Sequence, residues 1–120
     1  MARRALRVVW APLAVVGLHA ALVLTIGHYR SLDPVFHLLG GAAGAYALIQ
    51  LFTEFPGFIR LPASWEPRTT AVIATFAVAI LWECVEWVSD TYFGGHSQQG
   101  ALDTGSDLAL GALGAIGAAW

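Results

Sequence analysis

The fold is decided by residues 69–90, which read TTAVIATFAVAILWECVEWVSD. The apolar part of this stretch predicts a helix that crosses a bilayer core of about 30 Å, which takes about 20 residues. The end of the same segment carries three carboxylates, Glu83, Glu86 and Asp90. Carboxylates that face lipid tails are strongly unfavourable, so we expect these three side chains to face other protein segments.

The composition of the whole chain indicates a membrane protein. The chain has 120 residues, of which 58% are hydrophobic and 12% are charged, whereas a soluble domain carries about 25% charged residues. Its cations are six Arg and no Lys, which argues against a nucleic-acid-binding surface. The single cysteine, Cys84, excludes an internal disulfide and a CxxC metal or redox motif.

Four apolar segments predict an all-α, polytopic membrane protein with a bundle of four transmembrane helices. We place the helices at about residues 7–27, 35–55, 69–89 and 102–120, within a single domain that covers residues 1–120. The fourth is long enough to span only if it begins near Leu102. We interpret the first as a span and not as a cleaved signal peptide, because its apolar run is long and no A-x-A site follows.

The arginines predict the orientation of the bundle. With both termini in the cytoplasm, five of the six arginines lie inside and one lies outside. The positive-inside rule favours this arrangement. We therefore predict a multi-pass membrane protein with both termini in the cytoplasm, in contact with membrane lipids. The inside set is Arg3, Arg4, Arg7, Arg60 and Arg68, and the outside residue is Arg30.

Polar residues on three of the predicted helices converge at one depth, near the outer surface. They are His37 on the second helix, Glu83, Glu86 and Asp90 on the third, and Asp103 and Asp107 on the fourth. Helical geometry places the acids of each helix on one face. Glycines share the faces of the second and fourth helices and allow close helix packing. The same Gly-rich faces could support a homo-oligomer.

Several acids in one low-dielectric pocket require protonation or a neutralising cation. We predict a divalent metal ion with His37, Glu83, Glu86 and Asp107 as ligands. Asp90 and Asp103 are the candidates for a catalytic base or a further ligand. Such oxygen-rich ligands with one imidazole suit Mg, Mn or Ca, and a smaller subset suits Zn or Fe. Asp103 could instead cap the fourth helix, and Asp90 could mark the solvated end of the third.

Two motifs resemble a known group of membrane proteins. DPVFHLLGGAAGAY, from Asp33, resembles the Asp-x-x-x-His opening of VanZ-like proteins, and WECVEWVSD with DTGSDLALGALGAIG resembles their later Glu and Asp-Leu…Gly-x-x-Gly blocks. The Trp-Glu-x-x-Glu version looks closest to YjdF-type inner-membrane proteins. The resemblance covers residues 33–117 except for the variable loop between the second and third helices. It implies that the six polar residues act as one group, in a protein of the bacterial cytoplasmic (inner) membrane. VanZ-like proteins often have an Asn on the fourth helix where Leu110 or Gly111 stands here.

Three functions fit this constellation. The first is a metal-dependent enzyme that acts on a lipid or lipid-linked substrate at the outer leaflet, with the ion as a Lewis acid. The second is ion or proton transport, since intramembrane carboxylates often mark pathways. The third is a non-catalytic binding or assembly subunit whose helices are clamped together by the metal. No nucleophile with an activating partner is evident among the serines and threonines, so the sequence leaves open whether the protein is an enzyme.

Overall fold

The computed structural model is all-helical and describes every residue except 28, 29, 96 and 99. Its helices are α1 (Ala2–Ile26), α2 (Asp33–Glu54), α3 (Pro67–Phe93) and α4 (Ala101–Ala119). A short 3-10 turn over Arg30–Leu32 leads into α2. The all-α fold predicted from the apolar segments is thus confirmed.

Three of these helices are long and apolar enough to cross a membrane, namely α1, α2 and α3. The fourth is not among them. It has 19 residues, and Asp103 and Asp107 lie in its first two turns. Membrane character is therefore supported by three candidate spans. A fourth span, and the orientation of the bundle, stay predictions.

Helix α2 is the centre of the bundle. It packs most extensively on α4 and also contacts α1 and α3, while α3 packs on α4 as well. Among the described elements, α1 packs on α2 alone. Successive contacts of α1 and α2 show that the two run antiparallel: Arg7 pairs with Glu54 at 2.7 Å, and the Trp10 indole donates to the Tyr46 hydroxyl at 3.0 Å.

Glycines bring α2 and α4 into backbone contact. A Cβ atom added to Gly41 would overlap the carbonyl group of Gly111, and one added to Gly114 would overlap the carbonyl group of Leu38. Close backbone approach of this kind is how small residues join helices in lipid. The glycine faces of these two helices therefore pack against each other within one chain. A homo-oligomer through the same faces stays a prediction.

The two ends of α3 are defined by local hydrogen bonds. Glu66 caps its start, because its carboxylate accepts the backbone N–H groups of Arg68 and Thr69 at 3.0 and 2.7 Å. These hydrogen bonds lower the pKa of the Glu66 carboxyl. At the other end Gly94 adopts a left-handed conformation with φ 71°, and the N–H of Gly95 donates to the Ser89 carbonyl. Such a glycine-based ending satisfies carbonyls of the last turn.

Candidate metal centre

His37 is the centre of the polar cluster, which lies where α2 begins and where α3 approaches its end. Its imidazole is 12% exposed, and its two nitrogens face different acids. Nε2 lies 3.6 Å from Asp33 Oδ1 and 3.7 Å from Asp107 Oδ2. Nδ1 lies 3.9 Å from Glu83 Oε1. The histidine therefore lies within 4 Å of carboxylates from three helices.

The carboxylate of Glu83 is the most unusual group of the site. Glu83 is only 5% exposed. Its Oε2 accepts a hydrogen bond from the Gln98 amide at 3.2 Å, whereas its Oε1 accepts none from any residue that the structure describes. Buried polar atoms nearly always have a partner, and an unsatisfied one costs about 1–3 kcal/mol, more if it is charged. A hydrogen-bond donor or a cation beside this oxygen would remove that cost.

Among the residues that the structure describes, two groups of side chains have donor atoms close enough to bind a metal ion. One consists of Asp33, His37 and Asp107, the other of His37, Glu83 and Glu86, and within each group the atoms lie within 4.8 Å of one another. In the second group Glu86 Oε1 also accepts the Trp82 indole N–H at 2.8 Å. The cluster is thus a candidate metal-binding group shared by α2, α3 and α4.

The four residues predicted as metal ligands, His37, Glu83, Glu86 and Asp107, all lie in this cluster. The structure adds Asp33, which sequence reasoning left out of the site. The signal for it was its position four residues before His37, since residues four apart share one face of a helix. It also adds Gln98, for which the sequence carries no comparable signal.

The two residues predicted as catalytic lie outside both candidate ligand groups. The Asp90 carboxylate accepts the backbone N–H groups of Ser97 and Gln98 at 3.0 and 2.7 Å. It therefore holds the loop that follows α3 against the helix end. Asp103 lies in the first turn of α4, where its carbonyl oxygen accepts the Ser106 hydroxyl at 2.7 Å. Catalytic roles for these two residues stay predictions.

A further polar group lies deeper in the bundle. Thr75 is 6% exposed, and its Oγ1 has no hydrogen-bond partner among the described residues. It lies about two helical turns before Glu83 on α3, toward the start of that helix. A Cβ atom added to Gly44 would lie 3.0 Å from the Thr75 methyl group. On α1, the His19 ring stacks on Phe36 with 4.6 Å between ring centroids.

Apolar helices of spanning length around a buried histidine–carboxylate cluster define a polytopic α-helical membrane protein. The family comparison agrees with this class. The chain belongs to the family described as "Predicted membrane protein (DUF2238)", whose model matches residues 4–120. Comparisons with curated proteins and with solved structures found no match. The resemblance to VanZ-like and YjdF-type proteins stays a prediction.

Proposed function

We propose that this protein binds one divalent metal ion beside His37, with Glu83 and Glu86 as the carboxylate ligands. The observation that carries the proposal is the buried Glu83 Oε1, which has no hydrogen-bond donor among the described residues and lies 3.9 Å from His37 Nδ1. An ion bound at about 2.0–2.6 Å from each ligand atom fits between donor atoms separated by such distances.

Charge balance supports a divalent cation at this position. Two ionised glutamates and a neutral imidazole around a divalent ion form a neutral group, which a low-dielectric surrounding favours. Two of the chain's arginines are engaged elsewhere, because Arg4 and Arg7 both pair with Glu54 at the opposite end of α2. One imidazole with several carboxylate oxygens suits Mg, Mn or Ca, and a His with two carboxylates also suits Zn or Fe.

The location of the cluster supports a role in lipid chemistry. With both termini in the cytoplasm and α4 as a fourth span, the cluster lies near the outer surface of the membrane. Asp33 is 38% exposed, so the site opens toward the end of the bundle. Exposed Trp82, Trp87 and Tyr92 on α3 suit the interface, where aromatic side chains concentrate. A bound ion would supply Lewis-acid activation of a phosphoryl or acyl oxygen. The proposed activity is metal-dependent turnover of a lipid or lipid-linked substrate.

Metal binding is tested with the purified, detergent-solubilised protein. The protein is stripped with chelator, dialysed against Mg, Mn, Ca, Zn or Fe(II) separately, and analysed for bound metal. Glu83→Gln removes the charge of the buried carboxylate whose Oε1 lacks a donor among the described residues, and Glu54→Gln is the matched control at the other end of the bundle. We expect one equivalent of one metal in the wild type and in the control, and none in Glu83→Gln. Equal metal content in all three proteins, or none in the wild type, would refute the site.

Catalysis is tested separately. Protein reconstituted into phosphatidylethanolamine–phosphatidylglycerol vesicles is incubated with and without chelator, and the lipids are analysed by mass spectrometry. We expect a lipid product that requires metal and is lost in Glu83→Gln. Metal-dependent thermal stability without any product would instead favour the non-catalytic clamp among α2, α3 and α4.

One observation favours transport as a second candidate. The buried Thr75 hydroxyl, which has no hydrogen-bond partner within the described part of the chain, adds a polar group between the cluster and the start of α3. Transport predicts ion or proton uptake by proteoliposomes, reported by an enclosed pH- or metal-sensitive dye. Uptake that is lost in Thr75→Val and Glu83→Gln would support this candidate, and uptake equal to that of protein-free vesicles would exclude it.

A further inference from the structure

The two nitrogens of His37 cannot serve the same ion. Their lone pairs point away from each other on opposite edges of the ring, and each faces different carboxylates. Nδ1 faces Glu83, while Nε2 faces Asp33 and Asp107. A neutral imidazole has one nitrogen that accepts or coordinates and one that carries a proton. A neutral His37 can therefore coordinate an ion in only one of the two candidate ligand groups that share it.

We propose that His37 binds the ion through Nδ1, together with Glu83 and Glu86, while its protonated Nε2 faces the carboxylates of Asp107 and Asp33 at 3.7 and 3.6 Å. This inference rests on the proposed metal site and deepens it. Asp107 then changes role: it is a positioning residue that fixes the ring from α4, and not a ligand of the ion. Asp33 is a second positioning residue, from the first turn of α2.

The hydrogen bonds around the two glutamates support this division. Gln98 donates to Glu83 Oε2, and Trp82 donates to Glu86 Oε1. Each glutamate therefore has one oxygen oriented by a neutral donor, as carboxylate ligands usually have, and a metal-binding histidine usually donates its other N–H to a carboxylate. All three ligands would thus have an orienting partner.

Hydrogen bonding, and not burial, argues against the opposite assignment. An ion on the Nε2 side would leave the Glu83 and Glu86 carboxylates beside each other without a cation, although Glu83 is 5% exposed. On the Nε2 side, Asp33 is 38% exposed and can be hydrated, whereas Asp107 is 3% exposed. What distinguishes the α3 pair is Glu83 Oε1, a buried oxygen that has no hydrogen-bond donor among the described residues and therefore most needs a cation.

The experiment combines affinity with a spectroscopic signature of the ring. The full chain is labelled with ¹⁵N-histidine, loaded with Zn²⁺ and studied by ¹⁵N NMR, with His37→Gln to assign the His37 signals. We expect the Nδ1 resonance to shift on zinc binding while Nε2 keeps its proton. Zn²⁺ affinity is measured in Asp107→Asn, Asp33→Asn and Glu86→Gln.

The expected pattern separates ligands from positioning residues. Asp107→Asn and Asp33→Asn should keep one equivalent of Zn²⁺ with an affinity about 10–100-fold lower, and Asp107→Glu should restore part of it. Glu86→Gln should lose stoichiometric binding. Binding that persists in Glu86→Gln and disappears in Asp33→Asn, or zinc on Nε2, would overturn the assignment. Absence of binding in the wild type would instead refute the proposed metal site itself. Asp33→Asn changes a partly exposed side chain, so a misfolded Asp107 variant does not block the test.

Discussion

Replacing Gly41 by alanine should separate α2 from α4, whereas the same change at the neighbouring Gly40 should not. A Cβ atom on Gly41 would lie 2.7 Å from the carbonyl carbon and 2.9 Å from the Cα of Gly111, and it would overlap the carbonyl oxygen. These are backbone atoms, so no side-chain rotation can relieve the overlap. A Cβ atom on Gly40 has no neighbour within 4 Å among the described residues.

The expected magnitudes follow from two opposing effects. Alanine is a better helix former than glycine by up to about 1 kcal/mol, and this applies equally to both positions. Overpacking of a close contact costs about 1–3 kcal/mol or more. Gly40→Ala should therefore leave the free energy of unfolding unchanged or raise it by up to about 1 kcal/mol. Gly41→Ala should have a free energy of unfolding about 1–3 kcal/mol lower than that of Gly40→Ala, since the helix-propensity gain is common to both, and its metal affinity should fall because α4 carries Asp107.

The assay is reversible unfolding in mixed micelles, in which the mole fraction of SDS is raised and the fluorescence of the five Trp residues is followed. Gly114→Ala, whose Cβ would overlap the Leu38 carbonyl group, should resemble Gly41→Ala, and Gly117→Ala, which meets open space, should resemble Gly40→Ala. Equal unfolding free energies for Gly41→Ala and Gly40→Ala, to within about 0.5 kcal/mol, would show that α2 and α4 do not meet through these backbones.

Three other substitutions test separate parts of the structure. Thr75→Val replaces a buried hydroxyl that lacks a partner among the described residues, so it should raise the free energy of unfolding by about 1 kcal/mol. A lower free energy of SDS-induced unfolding in this variant would show that the hydroxyl has a hydrogen-bond partner. Glu66→Gln removes a carboxylate whose pKa is lowered by the N–H groups of Thr69 and Arg68. The loss of stability caused by Glu66→Gln should be full above the unfolded-state pKa of Glu66 and should vanish as the pH falls through the lowered folded-state pKa. Thermal unfolding of both proteins at several pH values would check this. A loss of stability that stays constant at acidic pH would contradict the cap. Gln98→Leu removes the donor to Glu83 Oε2 and should weaken metal binding about 10–100-fold in titrations. An unchanged metal affinity would show that Gln98 does not orient a metal ligand.

The sequence predicted the helical class and the group of polar side chains because both depend on patterns along single helices. Long apolar runs predict membrane helices, and acids spaced three or four residues apart share a face. His37, Glu83, Glu86 and Asp107 could therefore be selected before their distances were known. Their similar depths in the three helices were enough to predict that these side chains lie close together.

The remaining features depend on geometry that no helical pattern contains. The edge of the imidazole that each acid faces depends on the ring orientation of His37, so Asp107 could not be distinguished from Glu83 in advance. Asp90 was interpreted as a candidate base, but a carboxylate at a helix end can also accept backbone N–H groups of the following loop, as it does here from Ser97 and Gln98. The position of Gln98 depends on how that loop folds back.

The dominant contact between α2 and α4 constrains how the protein is made. Helices leave the ribosome in chain order, so α3, with its two buried-site glutamates, reaches the membrane before the partner that completes the pocket exists. Until α4 has been synthesised, Asp107 is absent and Gly41 lacks the Gly111 backbone against which it packs in the complete bundle. The complete polar cluster, with a carboxylate from each of three helices, can therefore form only after α4 has been synthesised.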